Sequence, residues 1–338
     1  MAAKRILVTG AAGFIGGCCA RELRRRGLDV VALVHRRQAA DLGGATTVHG
    51  SITDTPSPWA ALAKHGPFDA VVHCAGRATD IGRFRQFLRV NVQGVINLIR
   101  AMPEVGIGRL VHVSSTDVYG LKDFANADES TPLCRRPGNP YPRSKILAEQ
   151  AIRAMLPPEQ YVILRPGAVW GEGDRTILPR IVDYLGRCSR VIHFGRWRGR
   201  NRWPLAHVRN VATAAYLGAC CDEAAGETYN VVDAEHTTID QYYRLVIERF
   251  LPERSALSSR TLPFWVGWLA GAAGTFVSNL MHRDQPLFDP TLYSLRSVSC
   301  NLDFNGDKLR LLAGTCGEAL VTRAAGLAQL RLEKPSPD

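Results

Sequence analysis

Short apolar runs alternate with helix-patterned stretches through the first half of the chain. Lys4-Arg5-Ile6-Leu7-Val8-Thr9 and Leu28-Asp29-Val30-Val31-Ala32-Leu33-Val34 are nearly unbroken apolar segments rich in β-branched residues. Such runs predict strands covered on both faces. Asp69-Ala70-Val71-Val72-His73-Cys74-Ala75-Gly76 predicts a further strand that ends in small residues, and Arg109-Leu110-Val111-His112-Val113 another. Between and after them, Phe14 to Arg26, Phe87 to Met102 and Ile146 to Ile152 carry apolar positions at helical spacing. Repeated strand–helix units predict an α/β fold with a doubly wound parallel sheet, whose ligands sit at the carboxyl ends of the strands. The second half is less regular and predicts a smaller, mixed region.

Composition narrows the setting. The chain has 338 residues, 46% apolar and 22% charged, enough for one large domain or two small ones. No internal repeat or low-complexity stretch is evident. Met1-Ala2-Ala3-Lys4-Arg5 runs straight into the first strand, so no cleaved secretion signal is expected. Nine cysteines, with adjacent pairs at Cys18-Cys19 and Cys220-Cys221 and no Cys-x-x-Cys, argue against a disulfide framework and against zinc. A reducing, cytoplasmic setting is expected. The net charge of +11 favours anionic partners: phosphorylated cofactors, nucleotide-linked substrates, anionic lipid or nucleic acid. Nucleic acid is set aside because no recognised binding module accompanies the charge.

The candidate chemistry begins at Gly10-Ala11-Ala12-Gly13-Phe14-Ile15-Gly16, between the first strand and its helix. Glycines three apart in that setting let backbone approach a pyrophosphate resting on the helix amino terminus, so a Rossmann-like dinucleotide site is expected there. The second strand ends at Val34, followed by His35-Arg36-Arg37 rather than by an acidic residue. Cations there suit a 2′-phosphate, so NADP is favoured and NAD remains an alternative. Tyr141 and Lys145 stand four apart, ahead of good helix formers, and therefore share a helix face. A phenol titrates near 10, about three units from neutrality, or ~4 kcal/mol; an ammonium ~4 Å away supplies roughly that at an effective dielectric near 20. The expectation is a Tyr141 phenol lowered in pKa by Lys145 and by the positive charge of a bound nicotinamide cofactor. Ser114-Ser115-Thr116 closes the strand Arg109 to Val113, where a hydroxyl can hold a substrate oxygen.

Four stretches together resemble the extended short-chain dehydrogenase/reductase family: Thr9 to Gly16, Ser114-Ser115-Thr116-Asp117-Val118-Tyr119-Gly120, Tyr141-Pro142-Arg143-Ser144-Lys145 and Leu164-Arg165-Pro166-Gly167-Ala168-Val169-Trp170-Gly171. The resemblance implies Ser115, Tyr141 and Lys145 as catalytic residues. It also implies Gly10, Gly13, Phe14, Ile15 and Gly16 at the pyrophosphate, Ala75 and Gly76 at the adenosine half, and Pro166 near the nicotinamide. Asn91, His35 and Arg36 complete the cofactor candidates. Ser51, and Arg209-Asn210 after His207-Val208, stand where this family usually carries acidic residues. Residues 1–165 are expected to form the NAD(P)-binding domain, with 204–232 returning to it, and 166–338 the substrate-binding region.

Leu262-Pro263-Phe264-Trp265, Gln285-Pro286-Leu287 and Asn301 to Leu309 resemble the tail of the 3β-hydroxysteroid dehydrogenase branch. An NAD(P)-dependent oxidoreductase acting on a secondary alcohol or ketone of a sterol-, steroid- or isoprenoid-like substrate is the leading expectation. A nucleotide-sugar epimerase/dehydratase with tightly held NAD is the alternative. Arg196-Trp197-Arg198-Gly199-Arg200-Asn201-Arg202-Trp203, if extended, puts arginines on one face and tryptophans on the other, as a grip for a nucleotide diphosphate, an anionic membrane surface or RNA, or as a solvated hairpin with two packed tryptophans. Residues 261–282 carry no formal charge, which allows a buried or substrate-lining helix, one lying on a membrane, or a span. A homodimer is compatible with the family likeness.

Overall fold

The computed structural model describes residues 4–35, 41–54, 57–281 and 290–330. β1 (Arg5–Thr9), β2 (Asp29–Val34), β3 (Thr46–His49), β4 (Phe68–His73), β5 (Ile107–Val113) and β6 (Tyr161–Pro166) form one parallel sheet with the later strand Thr228–Val231. Its order is Thr228–Val231, β6, β5, β4, β1, β2, β3. The chain leaves β1 for β2 on one side and later returns to β4 on the other, so the switch point lies between β1 and β4. This is the Rossmann-like doubly wound sheet expected from the sequence.

Alternating residues of each strand feed two cores, as the period of two requires. Ile6, Val8, Val30, Ala32 and Val34 pack with α1 (Phe14–Arg25) and the helix Val208–Cys220. Leu7, Val31, Leu33 and Val71 face α2 (Ser57–Ala63), α4 (Gly94–Val105) and α5 (Pro140–Met155). Burying both faces explains why these strands read as continuous apolar runs. A third core, with Trp170, Leu185, Trp203, Tyr242 and Phe304, holds the carboxyl-terminal region.

Several boundaries differ from expectation. β4 ends at His73, and Cys74-Ala75-Gly76 leaves the ladder as a loop. The helix expected from Phe87 to Met102 begins with the short α3 (Phe84–Phe87), widens to a π-helix at Leu88–Gln93 and only then becomes α4. Arg196 to Arg200 is a turn, not a strand: Arg198 is left-handed at φ 55°, and only Arg202–Trp203 is extended. Its charges are used internally, Arg196 pairing with Asp123 and Arg202 with Asp303. The uncharged stretch is a helix, Phe264–Leu280, yet Trp265, Trp268, Leu269 and Phe276 are exposed, which contradicts a buried helix. No helix among the described residues is long and apolar enough to cross a membrane. Arg36 and Gln285-Pro286-Leu287 lie outside the described residues. All nine cysteines are unbridged.

Candidate active site

The glycine turn is built for close backbone approach. Gly10 is left-handed at φ +69°, and a Cβ there would sit 2.7 Å from the Ala75 nitrogen. A Cβ on Gly16 would lie 2.3 Å from the Gly10 carbonyl oxygen, so only glycine lets α1 start this near β1. Gly13 donates to the Gly10 carbonyl at 2.9 Å and is the N-cap of α1 without a side-chain cap. The first N–H groups of that helix, at Phe14 and Ile15, lie before the intrahelical ladder begins and have no side-chain cap, so an anion at this helix end would satisfy them. On that geometry the residues fit a dinucleotide pyrophosphate. His35, exposed just past β2, stands where the ribose end of such a ligand would reach.

α5 is set by its first turn. Asn139 caps it, accepting from the Tyr141 backbone at 2.8 Å, and Pro140 occupies the first helical position. Tyr141 and Lys145 follow one turn apart. The Lys145 amine donates to the Val113 carbonyl at the end of β5, 2.7 Å away. Asn91 then ties three segments together: its carbonyl oxygen accepts from the Arg77 backbone at 2.7 Å, and its amide donates to the Arg77 carbonyl at 3.0 Å and to Ser144 Oγ at 2.8 Å. Ser144 in turn donates to the Tyr141 carbonyl at 2.7 Å. The π-helical turn widens the backbone at Asn91, a local irregularity typical of functional positions. A Cβ on Gly76 would meet Asn91 Oδ1 at 3.3 Å and the Lys145 amine at 3.7 Å. The structure thus brings Gly76, Asn91, Tyr141 and Lys145 to the ends of β4 and β5, while Pro166 closes β6.

Ser115 starts the 3-10 turn Thr116–Tyr119 and accepts from the Asp117 backbone at 3.2 Å. Its neighbour Ser114 donates to Glu149 at 2.6 Å; Arg165 clamps the same carboxylate at 3.0 and 2.6 Å and reaches the Tyr119 hydroxyl at 2.8 Å. This satisfied buried network fixes the strand end that presents Ser115.

The electrostatics depart from the sequence expectation. The Tyr141 phenol is raised above the ordinary tyrosine value, chiefly by burial, then by the Asp117 charge, with a Ser115 hydrogen bond pulling the other way. Lys145 is itself lowered to about 8, because burial outweighs the attraction of Cys74 and Glu149. The attraction expected at an effective dielectric near 20 left out the desolvation of both groups. The Lys145 amine is engaged by the Val113 carbonyl, and burial is the largest influence on the phenol.

One cluster was not legible in the sequence. Tyr293, from the helix Leu292–Ser299, donates to the Asp117 carboxylate. Burial raises the Asp117 carboxyl, with the Tyr293 and Ser115 hydrogen bonds opposing. Burial raises Tyr293 as well, with the Asp117 and Tyr141 charges adding to it. Beside them Asp80 accepts from Thr291 at 3.0 Å and pairs with Arg180 at 2.9 Å, while Asn139 donates to the Asp80 carbonyl at 2.8 Å. The tail helix is thereby fastened over the amino end of α5. Asp117 was visible as an acidic residue two beyond Ser115; nothing in sequence spacing links it to Tyr293.

Comparison with known proteins accords with this arrangement. A 4-hydroxy-2-methyl-3-oxo-4-farnesyl-3,4-dihydroquinoline-1-oxide ketoreductase from Stigmatella aurantiaca is 30% identical over 98% of this chain and 97% of its own. A 3-beta-hydroxysteroid dehydrogenase from Mycolicibacterium neoaurum is 31% identical over 72% of this chain and 69% of its own. Among solved structures, MoeE5 in complex with UDP-glucuronic acid and NAD superposes with a TM-score of 0.69 at 23% identity, covering 96% of this chain and 97% of that one, a likeness of fold. The profile of the NAD dependent epimerase/dehydratase family matches residues 6–231. With its glycine turn, its strand-end hydroxyl and its Tyr–Lys helix at the carboxyl ends of the strands, this chain belongs to that family of extended short-chain dehydrogenases/reductases.

Proposed function

We propose that the protein is an NAD(P)-dependent oxidoreductase acting on a secondary alcohol or ketone of a hydrophobic, sterol- or isoprenoid-like substrate, with NADP preferred. What supports this reading is the convergence of Ser115, Tyr141 and Lys145 at the strand ends beside a turn shaped for a pyrophosphate. Bound nicotinamide supplies or takes up the hydride. Tyr141 exchanges the proton with the substrate oxygen, and Ser115 holds that oxygen in place. Lys145, anchored on Val113, orients the base of the cleft together with Asn91. Burial keeps the phenol in its neutral, proton-donating form, which suits reduction of a ketone. NADP preference rests on the absence of an acid after β2 and on His35-Arg36-Arg37 in its place.

The nucleotide-sugar reading drew on the arginine run after Phe194. With Arg196 and Arg202 engaged by Asp123 and Asp303, that run offers a diphosphate less than its composition suggested.

The test follows nicotinamide absorbance with NADPH and NADH against panels of sterol, steroid and isoprenoid ketones and of nucleotide sugars. The Tyr141→Phe variant should lose turnover on the hydrophobic ketone by ~10²–10⁴-fold, the range of a lost general acid, and still bind nucleotide. Turnover of the sugar panel without added cofactor, or near-parental rates in the variant, would overturn the proposal.

A further inference from the structure

The helix Phe264–Leu280 is amphipathic in reverse. Its small residues face the protein. A Cβ on Gly267 would lie 2.7 Å from Phe194 and 2.8 Å from Leu295, and one on Gly271 would lie 3.2 Å from the Leu292 nitrogen. Gly274 and Ser278 are buried on the same side, and Thr275 accepts from the Leu292 backbone at 3.0 Å. Its large residues face outward: Trp265 is 64% exposed, Leu269 55% and Phe276 68%, with Trp268 on the same open side. Scattered single apolar residues on a surface need no explanation, but a full helix face of them does.

We propose that this face docks the protein onto a lipid bilayer carrying anionic headgroups, the helix lying flat in the interface. Three observations select lipid. At 17 residues the helix is ~26 Å long at 1.5 Å per residue, and with its inner face lined by glycine it lies rather than spans. Tryptophans at its amino end suit the headgroup boundary. Among the described residues, the segment 254–281 holds no Asp or Glu, and the exposed Arg260 precedes the helix, so the segment that carries the apolar face brings cations and no acid in a chain of net charge +11. Anionic lipid complements that frame, whereas a second copy would bring the same cations. The inner side of the helix packs on Thr291 and Leu292, next to the Tyr293 that reaches Asp117. A bilayer-dissolved substrate would thus meet the protein one helix away from Tyr141. That supply route rests on the proposed function; the docking itself does not.

The experiment is co-sedimentation of the full chain with phosphatidylcholine/phosphatidylglycerol vesicles and with pure phosphatidylcholine vesicles. The variants are Leu269→Glu/Phe276→Glu and the milder Phe276→Ser, with NADPH titration as the check on folding. Expected are strong binding to the anionic vesicles, weaker binding to the neutral ones, and at least a tenfold loss of the bound fraction in the double variant with unchanged NADPH affinity. No turnover enters this readout, so failure of the catalytic proposal leaves it interpretable. No vesicle binding by the parent, binding indifferent to all these substitutions, or a dimer in sedimentation equilibrium that the glutamates dissolve without any vesicle binding would overturn the proposal.

Discussion

His112→Leu should make the protein more resistant to acid. His73 and His112 stack at the ends of β4 and β5, with ring centroids 5.6 Å apart and planes 22° apart, each 1% exposed. His73 has Thr9 Oγ1 at 2.8 Å, while neither ring nitrogen of His112 has a hydrogen-bond partner. Burial, then the nearby Lys145 charge, lowers His73 from 6.5 to about 3; the same causes, with His73 added, lower His112 well below 6.5. Both rings are therefore neutral in the fold, and the unfolded chain binds the extra protons. Stability must fall as pH drops through 6.5 toward the folded values, the sign for a base whose folded pKa is depressed. For His112 alone the loss between pH 7.5 and 5 is RT ln(1 + 10^1.5), or about 2 kcal/mol. Leucine removes that proton and the unpaired nitrogens, a gain of ~1–3 kcal/mol at neutral pH, and forfeits ~0.5–1.5 kcal/mol of ring stacking. Urea titrations of parent and variant at pH 7.5 and 5 give the answer: the variant's advantage should widen by ~2 kcal/mol at the lower pH. An advantage independent of pH would mean that His112 is protonated, or solvated, in the folded protein, and the reasoning would fail.

Two further outcomes follow from the site. Tyr293→Phe removes the donor to Asp117; a hydrogen bond to a charged group is worth ~1.5–3 kcal/mol, so kcat/KM should fall roughly 10- to 100-fold, and any carboxyl step in the pH profile should move up, since that bond holds Asp117 down. A profile identical to the parent's would separate Tyr293 from the proton-handling cluster. Arg36→Asp/Arg37→Asp replaces cations by an acid at the end of β2, and competitive titration with NADPH and NADH should show preference swinging toward NADH by at least about tenfold; an unchanged ratio would remove the basis for NADP selectivity.

What the sequence disclosed and what it hid divide along a physical line. Properties local in the chain were readable: Gly10 and Gly16 announce a turn because no other residue fits a Cβ 2.7 Å from Ala75 or 2.3 Å from a carbonyl. The pairing of Tyr141 with Lys145 follows from helix period alone. Properties that depend on what covers a group were not readable. The sequence held both partners of the Tyr141–Lys145 pair and even their spacing, but not the burial and the Asp117 charge that raise the phenol, because desolvation is set by the surroundings and not by the neighbour four residues away. The same gap hides Tyr293, which lies 176 positions from the Asp117 it serves. It also explains the helix Phe264–Leu280: composition made it apolar, but only the packing of Gly267 and Gly271 against Phe194 and Thr291 decides that its tryptophans must face outward. Had the glycines been alanines, the methyl group at position 267 would meet Phe194 and Leu295 at under 3 Å, and the helix could not sit where it does.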